Sequence, residues 1–280
     1  MIVIDHVNFG YPKHPTLFKD LSLGFESGNI YGLLGKNGAG KSSLLHLLAG
    51  LVFPQKGSIK VSGRQPKERH VDFLADLFLV SEEAFFYSLS IDAYVKNFSP
   101  FYPKFNKEKF HQLLNEFELS ERKNLDRLSV GQQKKVMISF ALSSGCKLLL
   151  FDEPTNGLDI PSKKIFRKAI AKGFAEDSIL IISTHNIKDI HNLVDAVVIL
   201  DEGEILFKES IQDILDNLAF KTQFQFSSQD SIYSERIPGG YFSISEKMPE
   251  EESTSLDLEL LFNAVIEDPH AINTYFTEKT

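Results

Sequence analysis

The sequence predicts an α/β protein built on a largely parallel sheet, and three observations carry that prediction. Leu148 to Phe151 and Ile179 to Ile182 are near-continuous apolar runs, the pattern of strands buried on both faces. Between them Ile165, Ala169 and Ile170 fall at helical spacing, which completes a strand–helix–strand crossover. Upstream, the short apolar strand Ile30 to Leu34 runs into a Gly-rich loop and then a helix from about Lys41 to Ala49, ending near Gly50. Strand, Gly-rich turn and helix in that order form the first half of an α/β unit of the nucleotide-binding kind.

The remaining elements follow from periodicity. Ile2 and Ile4, then Leu21, Leu23 and Phe25, alternate as strands do, with Pro12 and Pro15 marking a turn between them. From about Ser88 to Ser144 the pattern is helical. Phe110, Leu113, Leu114 and Phe117 share one face, and a second helix, opening after Gly131, carries Val136, Met137, Phe140 and Ala141. After Leu218 the character shifts. Phe220, Thr222, Phe224 and Phe226 alternate, Gly239-Gly240 marks a turn, and Tyr241, Phe242 and Ile244 read as a further strand. The acidic run Glu250 to Glu252 precedes an apolar helix from about Leu256 to Ile266, and Thr254 and Asp257 have capping-box spacing. The expected division is a main domain over 1–219, with a helical part at about 88–144, and a small α+β appendage over 220–280.

Composition narrows the class. Of 280 residues 42% are hydrophobic and 24% charged, close to the globular average, which excludes collagen-like, disordered and disulfide-stapled chains. A net charge of -8 argues against a general nucleic-acid binder, whose affinity rests on neutralising phosphates. The single cysteine, Cys146, cannot form an internal disulfide and is expected to have no chemical role, consistent with a reducing compartment. No basic segment followed by a long apolar stretch opens the chain. The longest apolar runs fall far short of the roughly 20 residues that span a bilayer. The expectation is a soluble cytoplasmic chain whose membrane role, if it has one, comes through a partner.

Gly35-Lys36-Asn37-Gly38-Ala39-Gly40-Lys41-Ser42 matches the phosphate-loop pattern in full. Its glycines let backbone N–H groups turn inward onto phosphate oxygens, with a helix N-terminus adding positive potential. Lys41 is expected on the β- and γ-phosphates and Ser42 on Mg²⁺. Downstream, Asp152 and Glu153 end a buried strand, where ligands bind in parallel sheets. Asp152 is placed to hold Mg²⁺ through water, and Glu153 is the natural general base for hydrolysis. His185 closes the next strand as a candidate γ-phosphate contact. Leu128-Ser129-Val130-Gly131-Gln132 precedes a helix. A serine hydroxyl, a bare glycine amide and a helix N-terminus make an anion site, although Ser is also an ordinary N-cap.

Together these segments resemble the ATP-binding cassette (ABC) ATPase family from about Ile2 to Asn217. Gly35 to Ser42 is similar to its Walker A, Leu128 to Gln132 to its signature with Val130 replacing the usual Gly, and Leu148 to Glu153 to its Walker B. Asn156 to Asp159 resembles the D-loop and His185 the switch histidine, while Tyr11 occupies the place of the aromatic that stacks on adenine. The resemblance implies a P-loop cassette with an antiparallel β subdomain and a helical subdomain. It implies ATP and Mg²⁺ as ligands, with Gly35, Asn37, Gly38, Gly40, Lys41, Ser42 and Ser43 around the phosphates. It also implies a head-to-tail dimer, of two copies or with a homologous cassette, in which Ser129, Gly131, Gln132 and Asp159 face the partner's nucleotide. One position departs. Where the family has a Gln contacting Mg²⁺ and the attacking water, this chain has Glu82, or Glu83 by a one-residue shift. A carboxylate there ligates Mg²⁺ by charge, and the adjoining Phe85, Phe86 and Tyr87 read as a docking surface for a membrane partner.

A single cassette without a membrane span is similar to the separate ATP-binding subunit of a transporter whose permease is another chain. The Walker A to signature spacing leaves no room for the coiled-coil insertion of DNA-repair members. The stretches Phe101 to Phe117 and Leu256 to Phe262 resemble bacterial subunits serving exporters. The alternative is an ATP-driven clamp or assembly factor acting on soluble partners.

Overall fold

The computed structural model describes residues 1–82, 88–224, 231–248 and 254–276. The chain opens with β1 (Ile2–Phe9), β2 (Phe18–Phe25) and β3 (Asn29–Leu34), then α1 (Lys41–Leu48), β4 (Lys56–Val61), α2 (Val71–Ala75) and β5 (Leu77–Val80). Three helices follow, α3 (Ile91–Phe98), α4 (Lys107–Glu116) and α5 (Val130–Ser143). Next come β6 (Leu148–Asp152), α6 (Ile160–Gly173), β7 (Ile179–Thr184), β8 (Ala196–Asp201) and β9 (Glu204–Ser210). The described chain closes with α7 (Ile211–Asn217), β10 (Leu218–Gln223), β11 (Tyr233–Ile237), β12 (Gly240–Glu246), α8 (Leu258–Glu267) and α9 (Pro269–Asn273).

The wholly apolar strands do what their composition predicts. β6, β7 and β8 are buried almost throughout and lie inside a six-stranded sheet of order β5-β6-β7-β3-β8-β9. Pairing is parallel from β5 to β8, and only the edge pair β8–β9 is antiparallel. Register fixes what sits side by side at the carboxyl ends. Leu34 pairs with Thr184 and Asp152 with Ser183, so the loop after β3, the end of β6 and the end of β7 form one row. A second, antiparallel sheet of order β2-β1-β4 covers the other side of α1 and shares its core with Leu44, Leu45 and Leu48.

The helical part hangs on aromatic packing. Phe140 on α5 is fully buried, and its ring meets Phe78, Tyr94, Tyr102, Phe105 and Phe110 at centroid distances of 4.7 to 6.1 Å. Phe78 belongs to β5, so this cluster joins the helices to the sheet. Cys146 is buried nearby. Burial pushes its thiol up to about 12, which leaves it without thiolate chemistry at neutral pH.

Three local expectations need correction. The helix expected to open after Gly131 already begins at Val130, because Ser129 and Gln132 form a reciprocal capping box that ties off the first turn. No such box forms at Thr254. Asp257 caps α8 by accepting from the amides of Glu259 and Leu260, each at 3.0 Å, while the Thr254 hydroxyl accepts from Phe220 N at 2.8 Å. The alternating run from Phe220 pairs only as far as Gln223, opposite Tyr241, and Phe224 stands 90% exposed. Phe226, the 250–252 acidic run, Glu83, Phe85, Phe86 and Tyr87 lie outside the described residues. The last strand of this small sheet, order β10-β12-β11, starts at Gly240. Among the described residues, no helix is long and apolar enough to cross a membrane.

Because five aromatic partners converge on one ring, Phe140→Ala should destabilise the protein by roughly 3–5 kcal/mol, read as a lowered denaturant midpoint of far-UV circular dichroism.

Candidate active site

Gly38 and Gly40 both take left-handed φ angles, 84° and 111°, conformations that glycine adopts without a Cβ penalty. They turn the loop so that α1 starts directly after it. Gly40 supplies no side-chain cap to α1, so the orphan amides of the first turn remain for an anionic ligand. Lys41 folds back into this loop. Its Nζ donates to Gly35 O at 2.8 Å and Lys36 O at 3.1 Å. Burial pushes the ammonium below the usual lysine range, opposed by the charges of Glu153, Asp152 and Glu82 in that order.

Across the row of strand ends, Glu153 is buried at 4% exposure with φ 45°, a left-handed conformation that costs a non-glycine residue on the order of 1–3 kcal/mol. Its peptide is gripped on both sides. The N–H donates to Ser183 O at 3.0 Å, and the carbonyl accepts from Lys134 Nζ at 2.7 Å. Its carboxyl group is engaged as well. Oε1 lies 2.8 Å from His185 Nδ1 and accepts from His185 N at 2.9 Å, and Oε2 accepts from Thr184 Oγ1 at 3.1 Å. An ionised carboxylate has about four acceptor sites, so Oε2 keeps capacity for a further donor such as water. Asp152, 3% exposed, sits one residue earlier and takes a short hydrogen bond from Ser183 Oγ.

An open cavity of about 670 Å³ joins these groups, a size suited to a small-molecule ligand. Its walls include Asn37, Gly38, Gly40, Lys41, Ser42 and Ser43 from the loop and α1. Glu82, Glu153 and His185 face it from the strand ends. Tyr11 closes the far end, packed edge-on against Phe9 at 5.0 Å with its hydroxyl 3.2 Å from Ser43 Oγ. Gly35 stands behind this wall as a Lys41 acceptor, and Asp152 behind Glu153. Glu82 is tied to the segment after β6, where Asn156 Nδ2 donates to its Oε1 at 3.3 Å.

The structure does not bring Ser129, Gly131, Gln132 or Asp159 to this cavity. Ser129 Oγ accepts from Gln132 N at 3.3 Å and Gln132 Oε1 accepts from Ser129 N at 3.2 Å. The serine O–H stays available as a donor. Asp159 caps α6 through Ser162 N at 2.9 Å, and the Ser162 hydroxyl, then this amide, hold its carboxyl below the usual range. Gly131 has a steric reason to be glycine: a Cβ there would sit 2.3 Å from Gly157 O. His14, Pro15, Thr16 and Leu17, from the β1–β2 connection, also line the cavity. Sequence reasoning missed them because they form no motif. It also missed Lys134. Its signal was a lysine four residues before the buried Ile138 on the same helix face.

The fold and this row of phosphate-loop, carboxylate and histidine groups define an ATP-hydrolysing cassette. The family model for ABC transporters matches residues 18–156. The ABC transporter ATP-binding protein NatA of Bacillus subtilis (strain 168) is 30% identical over 71% of this chain and 84% of its own length. The SkfA peptide export ATP-binding protein SkfE of the same organism is 31% identical over 66% of this chain and 80% of its own. A solved ATP-binding subunit of an ABC transporter superposes with a TM-score of 0.67 at 25% identity, covering 76% of this chain and 91% of that one. This chain therefore belongs to the ABC transporter ATP-binding family and is an ATPase.

Two outcomes follow from the geometry. Gly131→Ala should displace the 155–159 segment, seen as faster amide hydrogen exchange there, and should lower ATPase activity while leaving ATP binding to the isolated chain intact. Tyr11 lines the cavity beside Ser43, so Tyr11→Ala should weaken ATP binding about fivefold, the loss of one aromatic contact on the order of 1 kcal/mol. Turnover at saturating ATP should barely change, and calorimetric titration beside steady-state assays checks both halves.

Proposed function

We propose that this chain is the ATP-binding and ATP-hydrolysing subunit of an export system whose permease is a separate membrane chain. In this reading it works at the cytoplasmic face of the membrane as a head-to-tail dimer of cassettes. One observation carries the proposal: the turn that opens α5 and the phosphate loop do not share a cavity. Ser129, Gly131 and Gln132 stand away from the cavity that Lys41 and Glu153 line. Beside them Val130 is 64% exposed and Ile160, next to Asp159, is 83% exposed. A second cassette related by a twofold axis closes both sites at once and covers these apolar side chains. The similarity to a peptide-export ATP-binding protein supports export over import.

Each residue then has a part. The amides at the start of α1, with Lys41, Asn37 and Ser43, hold the phosphates, and Tyr11 stacks on adenine. Ser42 Oγ, Glu82 and, through water, Asp152 would hold Mg²⁺, which supplies charge neutralisation at the phosphates. The donor set fits such an ion. Mg²⁺ needs few protein oxygens beside the substrate's own, and Ser42 and Glu82 both line the cavity, with Asp152 one residue before Glu153. Glu153 takes the proton of the attacking water, and His185, held on Oε1, contacts the γ-phosphate. Ser129, Gly131, Gln132 and Asp159 act on the nucleotide of the opposite cassette. ATP is then the differential contact that drives closure. Residues 220–280 are an appendage to the 1–219 cassette, outside this chemistry.

The test is a pair of variants. Lys41→Ala should lose ATP binding. Glu153→Gln should bind ATP near normally, slow turnover roughly 10²–10⁴-fold, and elute as a dimer with ATP and Mg²⁺. A Glu153→Gln protein that remains monomeric with bound ATP at every concentration would refute the dimer reading.

A further inference from the structure

The site carries three carboxylates. Asp152 and Glu153 end β6, and Glu82 faces the same cavity from beyond β5. Two lysines stand against them. One is Lys41 of the phosphate loop. The other, Lys134, belongs to no nucleotide motif and enters from α5, two residues after Gln132.

Lys134 is only 4% exposed, and its Nζ donates to the Glu153 main-chain carbonyl at 2.7 Å. That carbonyl belongs to Glu153, a non-glycine residue held at a left-handed φ of 45°. A buried ammonium is costly unless charges nearby compensate it. Capping a carbonyl alone needs no charge, since a neutral amide donor would serve. The compensation here comes from the carboxylates. Burial pushes the Lys134 ammonium below the usual lysine range, opposed by the charges of Glu82, Glu153 and Asp152 in that order, whereas on Lys41 the opposing order runs Glu153, Asp152, Glu82.

We propose that Lys134 is a positioning residue for hydrolysis, which clamps the Glu153 peptide to the first turns of α5 and offsets the charge that Glu82 adds to the site. The inference rests on the reading of Glu153 as the group that acts on water. It has a mechanical consequence. Ser129 and Gln132 open the helix that carries Lys134, so a shift of that turn against a nucleotide on the opposite cassette is passed directly to the Glu153 backbone.

The test compares Lys134→Met, Lys134→Gln and Glu82→Gln with the double variant Glu82→Gln/Lys134→Gln in the full-length chain, by steady-state ATPase kinetics with MgATP. Lys134→Met removes donor and charge and should lower kcat at least tenfold, with KM for ATP within about threefold of wild type. Lys134→Gln keeps a donor but not the charge and should also fall. Adding Glu82→Gln to it should restore kcat at least fivefold, a rescue that a merely structural lysine would not show. An unchanged kcat in Lys134→Met, or a double variant no faster than Lys134→Gln alone, overturns the proposal. Should Lys134→Met fail to fold, the rescue comparison decides by itself. Glu153→Gln run in parallel separates the two readings. Wild-type turnover there sinks the role of Glu153, whereas an inactive Glu153→Gln beside fully active Lys134 variants sinks only that of Lys134.

Discussion

A single peptide unit, the one that places Glu153, is the constraint on which the active site depends. Its left-handed φ turns the chain away from the strand line immediately after Asp152, so two consecutive carboxylates end up in different places. One stays behind the wall against Ser183 and the other faces the cavity. Such a conformation persists only where its surroundings over-determine it. Here β7 holds the amide, Lys134 the carbonyl, and Thr184 with His185 the side chain. Two separate parts of the chain, the end of β7 and the helix α5, converge on one residue.

That convergence is rigid because the sheet beneath it is. β3, β6 and β7 are adjacent, parallel and apolar on both faces, so a slip of register would expose or unpair an entire row. The helical part is joined differently, through the aromatic cluster around Phe140 and through Lys134. Lys109 adds a polar link by donating to Gly173 O at the end of α6, at 3.3 Å. The segment after His185 is also braced from two sides. Asp189, 7% exposed, pairs with Lys163 of α6 at 2.7 Å, and Leu258 and Leu261 of α8 share the core of Ile187 and Ile190. The C-terminal helix is thereby built onto the strand ends that form the site.

Much of this was legible from residue pattern. The buried strands announced themselves as apolar runs, and the phosphate loop as a fixed glycine spacing between strand and helix. β4 and β11 did not. β4 reads Lys-Gly-Ser-Ile-Lys-Val with only Ile59 and Val61 buried, and β11 is half-buried apart from the exposed Arg236. Strands so short and polar exist because a neighbour pairs with them, and local pattern carries no record of the neighbour. The same reason explains Thr254. Its spacing to Asp257 suggested a cap, yet its hydroxyl satisfies a backbone amide 34 residues away.

The chain's local chemistry therefore set which groups were available: the glycines, Lys41, the Asp152–Glu153 pair, His185 and the Ser129 cap. All of these depend on residues close in sequence. Which of them meet depended on long-range packing. Strand register brought Asp152, Glu153, Thr184 and His185 beside Lys41, while the course of the chain left Ser129, Gly131 and Asp159 outside that cavity. The burial of Lys134 against Glu153 belongs to this second kind. A lysine in a helix is locally unremarkable, and its role comes into being only where the backbone of a distant strand lends it a carbonyl and three carboxylates supply the opposing charge.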